Sequence, residues 1–330
     1  MSILKEFVNK TLNAFGKLRV KINEIIKSII EASRTISYIE TISNKADTVH
    51  RYIKLNSERD LKRAFEINTR KAIGRMGLGK IICAVDVTEE LYFGENGNLN
   101  VRQIKHEKGA EEAFAYVVLE IIKPRSLPLM TIPYKQGDDL TAIVKELLDY
   151  AKSLRIIIEA VLFDRGFYIG DLIQYLDANN INYLIFVPEN EAMKKYIEQT
   201  NMFACYYHTI KWNKYKSTWE TPVKIVIIWD EIVRKGRKRN YHWIFATNLK
   251  HTISLIKIYK QRWQIETDFR VQDEARIKSK SNIPIIRYYY FCVSLILMAN
   301  WQVNRIKSPE VSFKRYLKNI QQIYERSEDT

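Results

Sequence analysis

Three acidic residues stand where a metal-bound carboxylate could do chemistry. Asp86 closes the apolar run Ile81-Ile82-Cys83-Ala84-Val85, and Asp164 closes a second run, Ile156 to Phe163, just ahead of Arg165-Gly166-Phe167. Glu266 lies inside Tyr259-Lys260-Gln261-Arg262-Trp263-Gln264-Ile265-Glu266, with Thr267-Asp268-Phe269-Arg270 after it. The two apolar runs predict buried strands that each deliver a carboxylate at the strand end, and the third segment predicts a helix. Three carboxylates gathered by folding make a hard-oxygen site suited to Mg²⁺ or Mn²⁺. Two such ions can hold the attacking and leaving oxygens of a phosphodiester. The simpler alternative for Asp86 is a strand-terminating residue bonded to a nearby turn.

The segment around Glu266 is more specific. Tyr259, Arg262, Glu266, Arg270 and Asp273 fall at i, i+3, i+7, i+11 and i+14, one face of a single predicted helix. Phenol, guanidinium and carboxylate on one face suit a phosphate-handling surface. Tyr and Arg donate to phosphate oxygens there while Glu holds metal. A helix laced with Arg262–Glu266 and Glu266–Arg270 pairs at i, i+4 has the same spacing.

The elements that must position these residues follow from apolar periodicity. Residues 1–75 carry apolar side chains at helical spacing (Leu4, Phe7, Val8, Leu12, Phe15, then Ile22, Ile25, Ile26, Ile29, Ile30) with basic residues between them. A helical, DNA-binding region over 1–78 is expected, although no helix-turn-helix signature is present. Gly77-Leu78-Gly79 breaks the pattern. Strands are then expected at 80–87, 114–122 and 129–132, a helix at 140–154, a strand at 156–163, a helix at 169–178 and a strand at 183–187. That order argues for an α/β sheet covered by helices. Residues 203–249 alternate Tyr, Trp, Val and Ile and predict an antiparallel β insertion. Its turn, Arg234-Lys235-Gly236-Arg237-Lys238-Arg239, is basic enough to lie on a phosphate backbone, or is charged simply because it is wet. From 253 to 304 the chain reads as helical, with a break near Ser281-Asn282-Ile283-Pro284. The apolar window Tyr288–Val303 is too short and too rich in Asn, Gln and Tyr for a membrane span.

Charge is unevenly placed along the 330 residues. Formal net charge is +15; residues 1–80 carry 17 Lys/Arg against 8 Asp/Glu, residues 81–256 carry 22 against 22, and residues 257–330 carry 14 against 8. Basic ends around a neutral middle point to a polyanionic partner. Cys83, Cys205 and Cys292 are far apart and form no CxxC, and the five histidines show no paired spacing. No zinc site or disulfide framework is expected, and reducing cytoplasm is the default compartment. The N-terminus has charges inside its apolar stretch and does not read as a signal peptide.

Tyr259-x-x-Arg262-x-x-x-Glu266, with Trp263, Ile265, Phe269 and Arg270 beside it, resembles the Tyr/Arg/Glu/Lys signature of DDE transposases of bacterial and archaeal insertion sequences. Ala84-Val85-Asp86-x-Thr88 followed by Tyr92-x-Gly94 resembles that family's first-Asp segment. Phe163-Asp164-Arg165-Gly166-Phe167 resembles its second, and Thr247-Asn248 the strand before the third. The resemblance runs from about 80 to 305. It implies a ribonuclease H-like catalytic domain over 79–305, a mixed sheet flanked by helices, with a β-rich insertion at about 188–245. A helical region, 1–78, would precede it and a helical tail, 306–330, would follow.

The resemblance also implies catalysis by Asp86, Asp164 and Glu266 holding two Mg²⁺ or Mn²⁺ ions. Phosphate would be positioned by Tyr259, Arg262, Arg270 and Arg165, and at the hairpin tip by Lys235, Arg237, Lys238 and Arg239. The expected partners are double-stranded DNA, as element terminal repeats and target, and a second copy in a homodimer on paired ends. The expected place is the cytoplasm of a prokaryote, at the nucleoid. Where the family has Lys seven positions after the Glu, this chain has Asp273. That reversal leaves open an inactive or domesticated DNA-binding copy, or a nuclease on the same fold.

Overall fold

Among the first 76 residues, those described fold as their periodicity requires. In the computed structural model, α1 (Ile3–Leu12), α2 (Ile22–Thr35), α3 (Ile39–Ile42), α4 (Ala46–Ile53) and α5 (Glu58–Met76) come first. Residues 1–2, 13–21, 96, 215–216, 235–236, 251–253 and 327–330 lie outside the described structure, as do the side chains of 3, 232–234, 237 and 239. The expected apolar position Phe15 is therefore not described. A capping box starts α5: the Ser57 hydroxyl accepts from the Asp60 N–H while the Asp60 carboxylate accepts from the Ser57 N–H. Gly77 ends α5 in the left-handed region at φ 60°, a conformation that costs a Cβ-bearing residue energy.

The apolar runs pair into one sheet. Its strands are β1 (Lys80–Tyr92), β2 (Arg102–Glu107), β3 (Ala110–Lys123), β4 (Leu127–Tyr134), β5 (Ile157–Phe163), β6 (Tyr183–Phe186), β7 (Phe203–Lys214), β8 (Ser217–Arg234) and β9 (Arg237–Thr247). They lie in the order β2-β3-β1-β5-β6-β9-β8-β7, with β4 also beside β3. Pairs β1–β5 and β5–β6 are parallel, and β1–β3, β3–β4, β6–β9 and the hairpins are antiparallel. Parallel neighbours need crossovers. These are α6 (Leu140–Ser153), ahead of β5, and α7 (Gly170–Ala178), between β5 and β6. A mixed sheet flanked by helices on this plan is the ribonuclease H-like arrangement.

The β insertion does not stand apart from the sheet. β9 pairs with β6 through Leu184↔Thr247 to Phe186↔Phe245, so β7–β9 prolong the sheet. A helix that the alternation did not announce, α8 (Glu191–Glu198), precedes it. Lys214 reaches Asp139 at 3.0 Å and Asp171 at 2.5 Å, and the Trp212 ring lies so close to Gly170 that a Cβ there would overlap it. These contacts fix β7 against the start of α6 and α7.

From residue 254 to 326 the regular elements are helices: α9 (Ser254–Lys260), α10 (Trp263–Asp273), α11 (Pro284–Asn304) and α12 (Phe313–Arg326). Every residue of α11 from Ile286 to Gln302 is buried, against α5, β4 and α1. This helix, apolar almost all round, is a core helix. No helix among the described residues is long and apolar enough to cross a membrane. The N-terminal helices share its hydrophobic core: Phe7 packs against Tyr289, and α2 lies along α12.

Candidate active site

Asp86 does not end its strand. β1 runs on to Tyr92, paired with β3 the whole way, and Asp86 sits opposite Val118. What ends at Asp86 is the pairing on the other side, because the last parallel pair of β1 with β5 is Val85↔Phe163. The residues that follow that pair are Asp86 and Asp164. The two acids therefore occupy neighbouring positions on strands about 4.8 Å apart, where β5 turns away from the sheet. Asp164 caps the 3₁₀ turn Arg165–Phe167, its carboxylate accepting from the Arg165 N–H at 2.7 Å. Asp86 accepts from the Val87 N–H at 2.9 Å.

The predicted single helix from Tyr259 to Asp273 is two helices. At Gln261 and Arg262 the backbone tightens to i→i+3 bonds: Gln261 N–H to Ile258, Arg262 N–H to Tyr259, Gln264 N–H to Gln261 and Ile265 N–H to Arg262. A 3₁₀ turn keeps i and i+3 aligned, so a sequence spacing of three does not reveal it. The consequence is that Arg262 sits in the turn between α9 and α10. Its side chain is 6% exposed, and its Nη1 donates to Asp86 Oδ2 at 2.8 Å. Its Nη2 donates to Glu266 Oε1. Its Nε is buried with no partner.

Tyr259 is 3% exposed. Its ring packs with Phe186 and Phe245, and the Arg262 guanidinium lies 5.8 Å from its centroid. A phenol so placed touches Arg262 and is not free to hold phosphate from solvent. Glu266 is half exposed at the outer rim.

Burial raises the Asp86 carboxyl to about 6, against the pull of Arg262, and the nearby Asp164 charge adds to the rise. Burial works against the Arg262 charge as well. Asp86, Tyr259, Asp164 and Glu266 more than offset it, and the guanidinium is held above its ordinary value. Burial also pushes the Tyr259 phenol up. Asp86 and Glu266 bond the guanidinium and Asp164 acts on it as a nearby charge; carboxylate oxygens are the donor type that a divalent cation takes. Among the described residues no three His, Cys, Asp or Glu side chains are grouped to hold a metal ion. Arg262 stands between two of the acids.

The other sequence-predicted residues are scattered. Arg165 and Arg270 are exposed; Arg270 donates to the Thr267 hydroxyl at 3.3 Å. Asp273 pairs with Arg276 at 2.9 Å. At the β8–β9 tip Lys238 pairs with Glu231 at 2.8 Å. Lys235 and the side chains of Arg237 and Arg239 lie outside the described residues.

Pattern reading missed a second acid cluster. Glu120 on β3 and Asp268 on α10 are 0% and 2% exposed. Ser126 donates to Glu120 at 2.6 Å and Gln264 to Asp268 at 3.0 Å. Their remaining oxygens, Glu120 Oε2 and Asp268 Oδ2, are buried and otherwise unpartnered. Burial first, then Asp268, lifts Glu120 well above the usual carboxylate range, which favours the neutral acid, able to donate to Asp268. The available signal was an acid inside the apolar run Val117-Val118-Leu119-Glu120-Ile121-Ile122. Gln272 adds a further tie, donating to the Ser294 hydroxyl of α11 at 2.5 Å. These bonds set the height and rotation of α10, and so of Glu266.

No curated protein sequence matches the chain. The family described as "Transposase DDE domain" matches residues 134–281, from the last residue of β4 to the loop before α11. The match takes in Asp164, Arg262 and Glu266 and leaves Asp86 outside it. Proteins of this family generally use divalent metal ions. Over residues 134–281 this chain is similar to the transposase DDE domain family.

Proposed function

We propose that this chain cuts DNA strands at the ends of an insertion sequence and joins the freed 3′-hydroxyl to target DNA, with Asp86, Asp164 and Glu266 as its catalytic acids. One observation carries the reading: Asp86 and Asp164 follow the last β1–β5 pair, and Arg262 ties Asp86 to Glu266. Mg²⁺ or Mn²⁺ held by the three acids, two ions in all, would supply an acidic water and positive charge for the developing oxyanion. The chain's own residues do the positioning. The paired sheet fixes the backbone of the two Asp residues, and the Glu120–Asp268 bond fixes the helix that bears Glu266. Arg262 supplies a cation where a phosphate would otherwise meet three like charges.

Duplex DNA is the substrate that the basic ends fit, residues 1–80 with 17 Lys/Arg against 8 Asp/Glu and residues 257–330 with 14 against 8. A homodimer would hold two element ends together. A second reading is favoured by Asp273, which pairs with Arg276 where the family signature has Lys. On that reading the chain binds element ends but joins them poorly.

The test is a cleavage and strand-transfer assay with Mg²⁺ on DNA carrying the flanking inverted repeats, using the native chain and Asp86→Ala. The expected result is cleavage and joining by the native chain, both lost in the variant, with salt-sensitive DNA binding retained. Cleavage by Asp86→Ala at the native rate overturns the site. Cleavage without joining by the native chain makes it a nuclease, and binding alone supports the second reading.

A further inference from the structure

Two open clefts meet at Ile306, just past the end of α11, and both carry positive charge. The first, about 400 Å³, lies beside the β3–β4 turn and takes Lys123, Arg125 and Arg305. The second, about 560 Å³, lies against the end of α5 and takes Arg75 and Lys307. Among the described residues no Asp or Glu lines either cleft. Nor is any of the five cations in an ion pair among the described residues. Arg305 has only neutral partners. Its guanidinium lies 4.9 Å from the Trp301 ring centroid, its Nη1 donates to Gln302 Oε1 at 3.5 Å, and its Nε donates to the Pro309 carbonyl at 3.4 Å.

The negative end of the α11 dipole accounts for cations at Arg305 and Lys307. It does not account for Lys123 and Arg125, which flank a strand turn, or for Arg75, on another helix. The nearest acids named above are sealed off from the first cleft. Ser126 and Gln264 line it, and they donate to Glu120 and Asp268 behind them. The first cleft is also separate from the acid centre. Gln264 and Glu266 are two residues apart on α10, so they point about 200° apart around it. Five cations from three separate elements are spread along a line, not gathered round one point. That distribution suits a chain of phosphates better than a single one, and Arg offers each phosphate a two-pronged donor.

We propose that the two clefts form one phosphate-binding track that carries a DNA backbone past the end of α11, away from the acid centre. The track uses the substrate class of the proposed function but not its chemistry. Lys123 and Arg125 take phosphates on one side of Ile306, and Arg75 and Lys307 take phosphates on the other.

The experiment measures binding of a fluorescent duplex to the full chain over a series of salt concentrations. A chelator is present throughout, so the outcome does not depend on whether the acids cut DNA. The track pairs are Lys123→Gln with Arg125→Gln, and Arg75→Gln with Lys307→Gln. The control pair is Lys105→Gln with Lys195→Gln, which removes the same charge elsewhere. All the substituted side chains are exposed, and thermal unfolding checks that each variant folds. Arg305 is left in place because it packs on Trp301. Each track pair should lower the slope of log affinity against log salt by about 2 and weaken binding about tenfold at moderate salt. The control pair should move the slope by less than about 0.5.

A control pair that loses as much as the track pairs overturns the proposal, because the effect would then be one of net charge alone. Native slopes in both track pairs overturn it as well, and loss in one pair only overturns the continuity of the two clefts. Inorganic tripolyphosphate, titrated against the same variants, tests the source of the phosphate. If the track pairs lose tripolyphosphate but bind duplex as the native chain does, the clefts serve a short polyphosphate and the DNA assignment falls. Failure of the acid centre would show instead in the cleavage assay, with the salt slopes unaffected.

Discussion

Two acid clusters lie against the same helix, α10, and they solve the burial of carboxylates in opposite ways. Around Glu266 the acids keep a cation: Arg262 bonds Asp86 and Glu266, and one of the three carboxylates reaches solvent. Around Asp268, two residues further on, no cation is within bonding reach among the described contacts. Burial and Asp268 raise the Glu120 carboxyl and favour its neutral form, and the pair is sealed from water. The difference teaches which cluster can do chemistry. Buried acids without a cation neutralise themselves and hold the fold together. Acids that keep a cation at a rim retain the charge that a metal ion or a phosphate-bound substrate can exploit.

The comparison is open to direct attack. The largest effect is expected at the cation-bearing cluster, where Asp86→Ala should remove DNA cleavage in the assay above and Asp86→Asn, which keeps an acceptor for the buried Arg262, should remove it with a smaller loss of unfolding stability than Asp86→Ala. Next comes the sealed pair. Glu120→Ala leaves buried Asp268 with Gln264 as its one remaining side-chain donor among the described contacts and should lower unfolding stability by ~3 kcal/mol. Glu120→Gln keeps a donor for Asp268 and should cost less than ~1 kcal/mol. Equal losses in the two variants, measured by urea unfolding, would show that the shared proton is not what holds the pair.

A smaller effect separates the clusters by pH. The folded state keeps the Glu120 proton above the ordinary value of 4.5, where the unfolded chain has released it. Glu120 therefore favours folding fully at pH below 4.5, and its contribution falls as pH rises from there toward its raised folded value. The slope is at most ~1.4 kcal/mol per pH unit. Urea unfolding at a series of pH values should show this decline in the native chain and a shallower one in Glu120→Gln. Coincident slopes would count against a protonated Glu120. The smallest effect is at the surface. Asp273→Lys replaces an acid paired with Arg276 by a cation. It should tighten duplex binding a few-fold and steepen the salt dependence, since each added phosphate contact releases about one counterion. An unchanged salt slope would mean that α10's outer end does not face DNA.

Much of the sheet could be read in advance, because β1, β5 and β6 are apolar runs with turn residues at their ends. Asp86 was misplaced as a strand end because the polar stretch Asp86–Glu90 looks like a terminus, whereas pairing with β3 carries the strand on to Tyr92. The break at Gln261–Arg262 was hidden, since a 3₁₀ turn preserves the spacing of three between Tyr259 and Arg262. Tyr259 looked free to meet phosphate, and burial among Phe186, Trp243 and Phe245 was not visible from its own helix.

The amino-acid sequence by itself determined where carboxylates would follow apolar strands, that an Arg would precede Glu266 by one helical turn, and that basic charge would gather at the two ends. Folding decided the rest. Arg262 meets Asp86 across 176 positions, and Glu120 finds Asp268 on a helix far along the chain. Residue type sets what charge a side chain can carry. Only packing sets how much water it loses and which partner replaces that water, and those two quantities decide whether an acid stays charged at a rim or turns neutral in the core.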